Sequence, residues 1–503
     1  MSTIAGGDRS LGGDRSTGGQ PSPGTGARAA SSFRATFGPL ASTLVCAGCG
    51  ASPDPRDPYP FRCPNAGSGD DVDHVLRRHL VADSVAFPSA GDASAEPNPY
   101  LAYRALFHAY HLARAGGMSD AEYRDLVARL DAAVAEVDGH GFVTTPFGRA
   151  AALSERLGFA ADGGVWVKNE TGNVSGSHKA RHLFGLLVHL EVVEQLGLAD
   201  PANRPHLAIA SCGNAALAAA VVAAAGRRVL DVFVPTDADP VVVDRLQSLG
   251  AHVTVCPREP GVPGDPTYHE LRRALAAGAL PFTCQGNENG LAVEGGFTLG
   301  YEMATQLAGA PVSGTPSSGQ ARPRGSGLDA LVIQVGGGAL ASGVIESLAD
   351  AATLGALDRV PRFHAVQTQG AWPLPRAFER VSARAGAGAG PAEREAAVRH
   401  AATHRSEFMW PWEDAPHSIA HGILDDETYD WVAIVEGLLA TGGGTVVVDE
   451  ERLVAANRVA VETTGIDVDE TGSSGLAGLM ALREDGTIGE HERIGVLFTG
   501  ARR

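Results

Sequence analysis

The stretch Lys168-Asn169-Glu170-Thr171-Gly172-Asn173-Val174-Ser175-Gly176-Ser177-His178-Lys179-Ala180-Arg181 sets Lys179 directly behind a loop of small and hydroxylated residues. A lysine amine can form a Schiff base with an aldehyde. Ser175, Gly176 and Ser177 let the backbone come close to a ligand while offering hydroxyls and amides to an anion. Ser-x-Lys is a short motif that a solvated lysine at a helix start also matches, so its meaning depends on what the rest of the chain supplies.

Three further segments supply partners. Leu331-Val332-Ile333-Gln334-Val335-Gly336-Gly337-Gly338-Ala339-Leu340-Ala341-Ser342-Gly343 reads as a buried strand, a three-glycine turn and a helix whose free N–H groups and dipole suit a phosphate. It lacks the lysine and hydroxyl of a nucleotide P-loop, and Ala341 stands where the dinucleotide fingerprint has its third glycine. Leu207-Ala208-Ile209-Ala210-Ser211-Cys212-Gly213-Asn214 is a second strand-to-loop junction, followed by the alanine-rich stretch Ala215 to Ala225. Ser211 and Asn214 could hydrogen-bond a carboxylate or a phenolic oxygen there. Ile494-Gly495-Val496-Leu497-Phe498-Thr499-Gly500 reads as a strand carrying a hydroxyl, Thr499, at its carboxyl end, the edge where ligands of open α/β sheets collect.

With these four elements in this order, the chain resembles the fold type II pyridoxal-phosphate enzymes over roughly residues 140 to 503. That family includes threonine synthase, the threonine and serine dehydratases and the tryptophan synthase β chain. The resemblance implies an α/β fold of the tryptophan synthase β kind, with two domains of three-layer parallel sheets. The catalytic domain would span 76–503, with a small mobile subdomain at about 205–295. It implies that Lys179 holds pyridoxal phosphate as an internal aldimine and later shuttles the α-proton. Gly336, Gly337, Gly338 and Ala339 would bind the phosphate, Asn214 would face the ring oxygen and Thr499 the pyridine nitrogen. Ser175, Ser211 and Gly213 are the expected substrate contacts.

The expected activity is that of a lyase acting on an amino acid by elimination, threonine synthase-like or threonine/serine ammonia-lyase-like. A neutral Thr499 cannot hold a ring nitrogen protonated as an aspartate would, which suits elimination or replacement better than transamination. Two alternatives stay open: a β-replacement synthase and a catalytically silent cofactor-binding protein. His178 stands where dehydratases and threonine synthases usually carry Phe and points faintly to the β-replacement side, although a packed ring is the expected role. Cys212 is expected to be a small buried side chain rather than a nucleophile. A γ-phosphate substrate would require cationic help, for which Arg181 is a candidate that no motif places.

The 503 residues are 44% hydrophobic and 19% charged, enough for a large core. Without an apolar run near twenty residues or a signal peptide, no membrane partner is expected and a cytoplasmic location is the default. A net charge of −18 argues against nucleic acid as a partner. The expected partner is a small amino-acid substrate, in a homo-oligomer. Residues 1–38, rich in Gly, Ser, Arg and Pro, read as a disordered tail.

Residues 39–75 form a zinc-ribbon-like segment, similar to the one that heads some threonine-synthase-like chains: Cys46-x2-Cys49, then Cys63. Ala66 stands where a fourth cysteine is wanted, so the site is incomplete. Asp70, Asp71, Asp73 or His74 are the replacements on offer for structural zinc, against a degenerate ribbon without metal.

Ser119-Asp-Ala-Glu122 forms a capping box for a helix at about 119–137. Strands are expected at 229–234, 252–255, 281–284, 329–335, 362–367, 445–448 and 493–498, alternating with helices as in a parallel sheet. Segments 309–327 and 383–393 look like surface insertions. Trp410 to Gly422 concentrates aromatics, acids and histidines, and a packed loop is the preferred reading over a pocket wall. Glu294 reads as an active-site carboxylate or a residue favoured at a helix N-terminus. Ser473 and Ser474 read as an anion contact or an N-cap.

Overall fold

The structure, a computed structural model, describes residues 37–67, 69–258, 265–309 and 327–502. The expected tail at 1–38 and the insertion at 309–327 fall almost wholly outside the described residues. Twelve strands are found: β1 Ser42–Cys46, β2 Leu76–Leu80, β3 Phe147–Arg149, β4 Gly164–Asn169, β5 Leu207–Ala210, β6 Leu230–Pro235, β7 His252–Cys256, β8 Leu280–Pro281, β9 Ala330–Gln334, β10 Arg362–Thr368, β11 Gly444–Val448 and β12 Arg493–Phe498.

They form a six-stranded sheet in the order β11-β10-β9-β12-β4-β3, a four-stranded sheet in the order β7-β6-β5-β8 and an antiparallel pair β1-β2. Both larger sheets are parallel except where β3 meets β4. Central parallel strands are covered on both faces and therefore read as unbroken apolar runs. Accordingly all five residues of β9 are buried, as are five of the six in β12. One apolar cluster packs on each side of this sheet, and a third joins the small sheet to the helices Asp120–Asp138, Lys179–Gln195 and Asn214–Ala225.

Where local chemistry is strong, the expected elements appear within a residue or two. Ser119 accepts from Glu122 N while the Glu122 side chain accepts from Ser119 N, and the helix Asp120–Asp138 follows. The strand expected at 281–284 is instead the two residues of β8 at the edge of the four-stranded sheet, whose pairing with β5 closes with Phe282 N donating to Ala208 O. The stretch 383–393 lies at the surface, where Gly386 and Gly388, both with positive φ, turn the chain between the helices Pro373–Ala385 and Pro391–Thr403.

Candidate functional site

The carboxyl ends of β4, β5, β9 and β12 meet in one region, and the strand-ending loops carry the residues singled out from the sequence. Ser175 lies in the left-handed region (φ 54°) and Gly176 follows it there (φ 67°). Such a backbone costs a non-glycine residue on the order of 1–3 kcal/mol and persists only where the surroundings hold it. Here Asp138 accepts from the Ser175 N–H at 2.9 Å, and Gly176 O accepts from Ala501 N at 2.9 Å. Ser177 and Gly500 form a bridge, and the Thr499 carbonyl accepts from both His178 N (3.1 Å) and His178 Nδ1 (3.2 Å). These contacts stitch the lysine loop to the end of β12, so Lys179 and Thr499, 320 positions apart, become neighbours through His178.

Lys179 opens the helix Lys179–Gln195 and is partly exposed. Among the described residues, its amine has no hydrogen-bond or ion-pair partner. Thr499 is buried, and its hydroxyl oxygen accepts from Gln334 Nε2 at 2.9 Å, which leaves its O–H free to donate. Asn214 begins the helix Asn214–Ala225 beside Gly500, where a Cβ would come 2.8 Å from Asn214 Nδ2. Ser211 and Gly213 sit together at the end of β5, with Gly213 N donating to Ser211 Oγ.

The glycine turn follows β9 and leads into the helix Ala339–Thr353, with Gly338 at φ 108° as its N-cap. The first N–H groups of that helix have no intrahelical acceptor, as an anion cradle requires. The glycines also answer to a neighbour that the sequence did not reveal. A Cβ on Gly336 would lie 2.5 Å from Asp425 Oδ2, one on Gly337 2.9 Å from the Tyr429 ring, and one on Gly338 3.0 Å from Asp430 Cβ. Thr428 donates to Gly336 O and Asp430 N donates to Gly337 O, each at 3.1 Å. The segment 423–430 is thus seated on the bare backbone of the turn.

That segment brings acids to the lysine. Asp425 is only partly open to solvent, and desolvation raises its carboxyl to about 6 against the pull of Lys179 and the Gly337 N–H. Asp430 is buried, and desolvation, with the Asp73 charge adding to it, pushes its carboxyl well above the usual range. Burial likewise raises the Cys284 thiol to about 11. The run Leu424 to Asp430 directly after the tryptophan-rich loop was the available signal, four acids beside an aromatic that end in a buried helix start.

The remaining candidate residues lie in varied surroundings. Arg181 points away from the cleft into a buried network: Glu170 accepts from its Nε and Nη2, Glu302 from its Nη1 and Nη2, and Thr298 from its Nη1. Glu302 also pairs with Lys168, so the arginine is fully engaged in holding β4 to the helix Phe297–Gly309. Glu294 lies in the first turn of the short helix Leu291–Gly295, and its carboxylate is engaged there: it accepts from His108 N at 2.7 Å and pairs with Arg78 at 3.2 Å. Asp469, not a serine, caps the helix Glu470–Glu484, while Ser473 and Ser474 donate back to the carbonyls of Asp469 and Glu470. His178 is buried, and desolvation keeps it neutral. Burial also raises the Cys212 thiol, which suits a small packed side chain. Trp410 is covered by the Arg376 guanidinium 3.7 Å from its ring, a packed loop contact.

A family model described as "Pyridoxal-phosphate dependent enzyme" matches residues 140–500. The threonine synthase of Methanocaldococcus jannaschii is 23% identical over 356 residues, 71% of this chain and 74% of that protein. Among solved structures, threonine deaminase isoform 2 of Solanum lycopersicum superposes with a TM-score of 0.52 at 18% identity, covering 77% of this chain and 92% of that one. Maize serine racemase does so with a TM-score of 0.52 at 17% identity, covering 75% and 93%. At these identities the superpositions establish a common fold. No described helix is long and apolar enough to cross a membrane.

Proposed function

Because the chain belongs to the pyridoxal-phosphate dependent enzymes, we propose that it is a lyase that eliminates a neutral group from Cβ of a serine- or threonine-like amino acid. The residues around the cleft fit the cofactor: an unpartnered lysine amine, a glycine turn at the start of a 15-residue helix and a buried hydroxyl with a free O–H. Lys179 would carry it covalently, Gly336 to Ala339 would hold its phosphate, Asn214 would face its ring oxygen and Thr499 its ring nitrogen. When bound, pyridoxal phosphate draws electron density from Cα and so stabilises the carbanion left by α-deprotonation.

The chain's own part follows from the side chains. Lys179 Nζ takes the α-proton, being the basic group at the mouth of the cleft with no competing partner. Thr499 would donate its O–H to the ring nitrogen while Gln334 fixes its oxygen, an arrangement that would not hold that nitrogen protonated. Ser175, Ser211 and Gly213 would receive the substrate carboxylate with hydroxyl and backbone N–H groups. The neutral ring of His178, held by the Thr499 carbonyl, fixes the direction in which the lysine leaves the helix start.

One observation carries the choice of leaving group. Every donor edge of Arg181, the cation nearest in sequence to Lys179, is taken by Glu170, Glu302 and their neighbours. Meanwhile Asp425 and Asp430 line the lysine side of the cleft. A γ-phosphate would be placed against Asp425, ionised above about pH 6, without help from Arg181, which is costly in a partly desolvated cleft. The similarity to archaeal threonine synthases over 71% of this chain favours a second reading, in which phosphohomoserine is the substrate. Incubation with serine, threonine and phosphohomoserine separately decides: ammonia and an α-keto acid from serine or threonine are expected, and Lys179→Ala should be silent. Phosphate release without ammonia establishes the second reading.

A further inference from the structure

Cys46 at the end of β1, Cys49 in the turn behind it, Cys63 in the following loop and His74 just before β2 each offer one ligand atom, and the four atoms lie within 4.8 Å of one another. Cys46 Sγ is 3.4 Å from His74 Nδ1, and Cys49 Sγ is 3.5 Å from Cys63 Sγ. Tetrahedral zinc with Zn–S near 2.3 Å and Zn–N near 2.0–2.1 Å separates its ligands by roughly 3.5–3.8 Å, close to both spacings. Three N–H groups converge on the sulfurs: Cys49 N on Cys46, Asn65 N on Cys63 and Asn65 Nδ2 on Cys49. Such donors stabilise thiolates. The other ring nitrogen of His74, Nε2, lies 2.7 Å from Asp70 Oδ2, which fixes the proton on Nε2 and turns the Nδ1 lone pair toward the sulfurs.

We propose that Cys46, Cys49, Cys63 and His74 hold one structural zinc ion, with Asp70 as the carboxylate that orients His74. Histidine thereby replaces the cysteine absent at Ala66. Binding forms three Zn–S bonds and one Zn–N bond and releases the three thiol protons to solvent. His74 keeps its Nε2 proton, and Asp70 accepts it in a hydrogen bond.

The ion would staple the segment to the wall behind the cofactor cleft. Beside His74, Asp73 accepts from Trp431 Nε1 at 3.2 Å, and Trp431 follows Asp430, whose Cβ lies against Gly338. Asp71 O accepts from Arg405 N, and Phe61 O accepts from Gly290 N at the start of the helix Leu291–Gly295. Loss of the metal should therefore loosen the seat of the 423–430 segment as well as the knuckle itself.

The test uses the full-length holoprotein, with elemental analysis and then exchange of Co2+ for the native metal. About one zinc per chain is expected, and the cobalt form should show tetrahedral d–d bands with thiolate charge transfer. His74→Cys should keep the metal and raise the charge-transfer intensity by about a third, from three thiolates to four, whereas His74→Ala should lose it. Asp70→Asn should weaken metal affinity about 10- to 100-fold. The exposed group His206, Asp231 and His252 has no sulfur, so any cobalt taken up there gives no charge-transfer band. Failure to bind zinc or cobalt, a Cys49–Cys63 disulfide in the purified protein, or a parental cobalt spectrum in both His74 variants would overturn the proposal.

Discussion

Lys179 and Arg181 stand two positions apart on one helix and do opposite work. The first is left without a partner at the cleft, and the second is spent inside the protein. Borohydride treatment of the purified protein should fix the cofactor to the peptide containing Lys179 and to no other lysine peptide. An adduct on Lys168 would contradict both the assignment and its burial against Glu302. Arg181→Met should leave Glu170 and Glu302 buried with one fewer countercharge, which destabilises a fold by about 3–5 kcal/mol. Urea titration should show this as a lowered midpoint at unchanged slope, and an unshifted midpoint would mean that the network holds nothing together. The sequence could raise Arg181 as a cation but could not reveal its role, because Glu302 lies 121 positions away. The partners of Glu294 are hidden for the same reason, Arg78 and His108 being remote in the chain.

Among elements, the glycine turn between β9 and the helix Ala339–Thr353 serves two neighbours, the phosphate it would hold and the segment 423–430 seated on its bare backbone. Gly337→Asp should crowd the Tyr429 ring and add a negative charge next to Asp425. Cofactor retained after dialysis should fall at least tenfold while the thermal midpoint moves by a few degrees. Full retention would mean that the phosphate is held elsewhere. The turn was legible because a buried apolar strand, three glycines and a small-residue helix are each local signals. The strands β1 to β4 are not legible in the sequence: β3 is short and exposed, β1 and β2 stand apart from the repeating strand-helix pattern, and β4 merges into the lysine segment itself. The seating of 423–430 on the glycines was equally hidden, since the absence of three side chains does not say what fills the space.

Across the whole molecule, raised carboxyls tie stability to pH. The folded state holds a proton on Asp425 up to about 6, and on Glu294, desolvated though paired with Arg78, up to about 7. The unfolded chain releases these protons near 4. The folded state therefore binds more protons between about 4 and 7, and these groups make stability fall as pH rises through that window. Asp425→Asn should gain on the parent between about pH 4 and 6 and stay level above. Partial solvent access limits the difference to about 1–2 kcal/mol, and a difference flat with pH in cofactor-free protein would remove Asp425 from the account. The sheet order carries one more consequence. β12 lies between β9 and β4, yet it is the last of the twelve strands to leave the ribosome. Until it emerges, the nascent chain carries two unpaired parallel edges, each a template for pairing with another molecule. Synthesis of this protein therefore passes through a stage in which its most buried backbone is its stickiest surface, and a chaperone that shields strand edges should matter most just before the final strand is released.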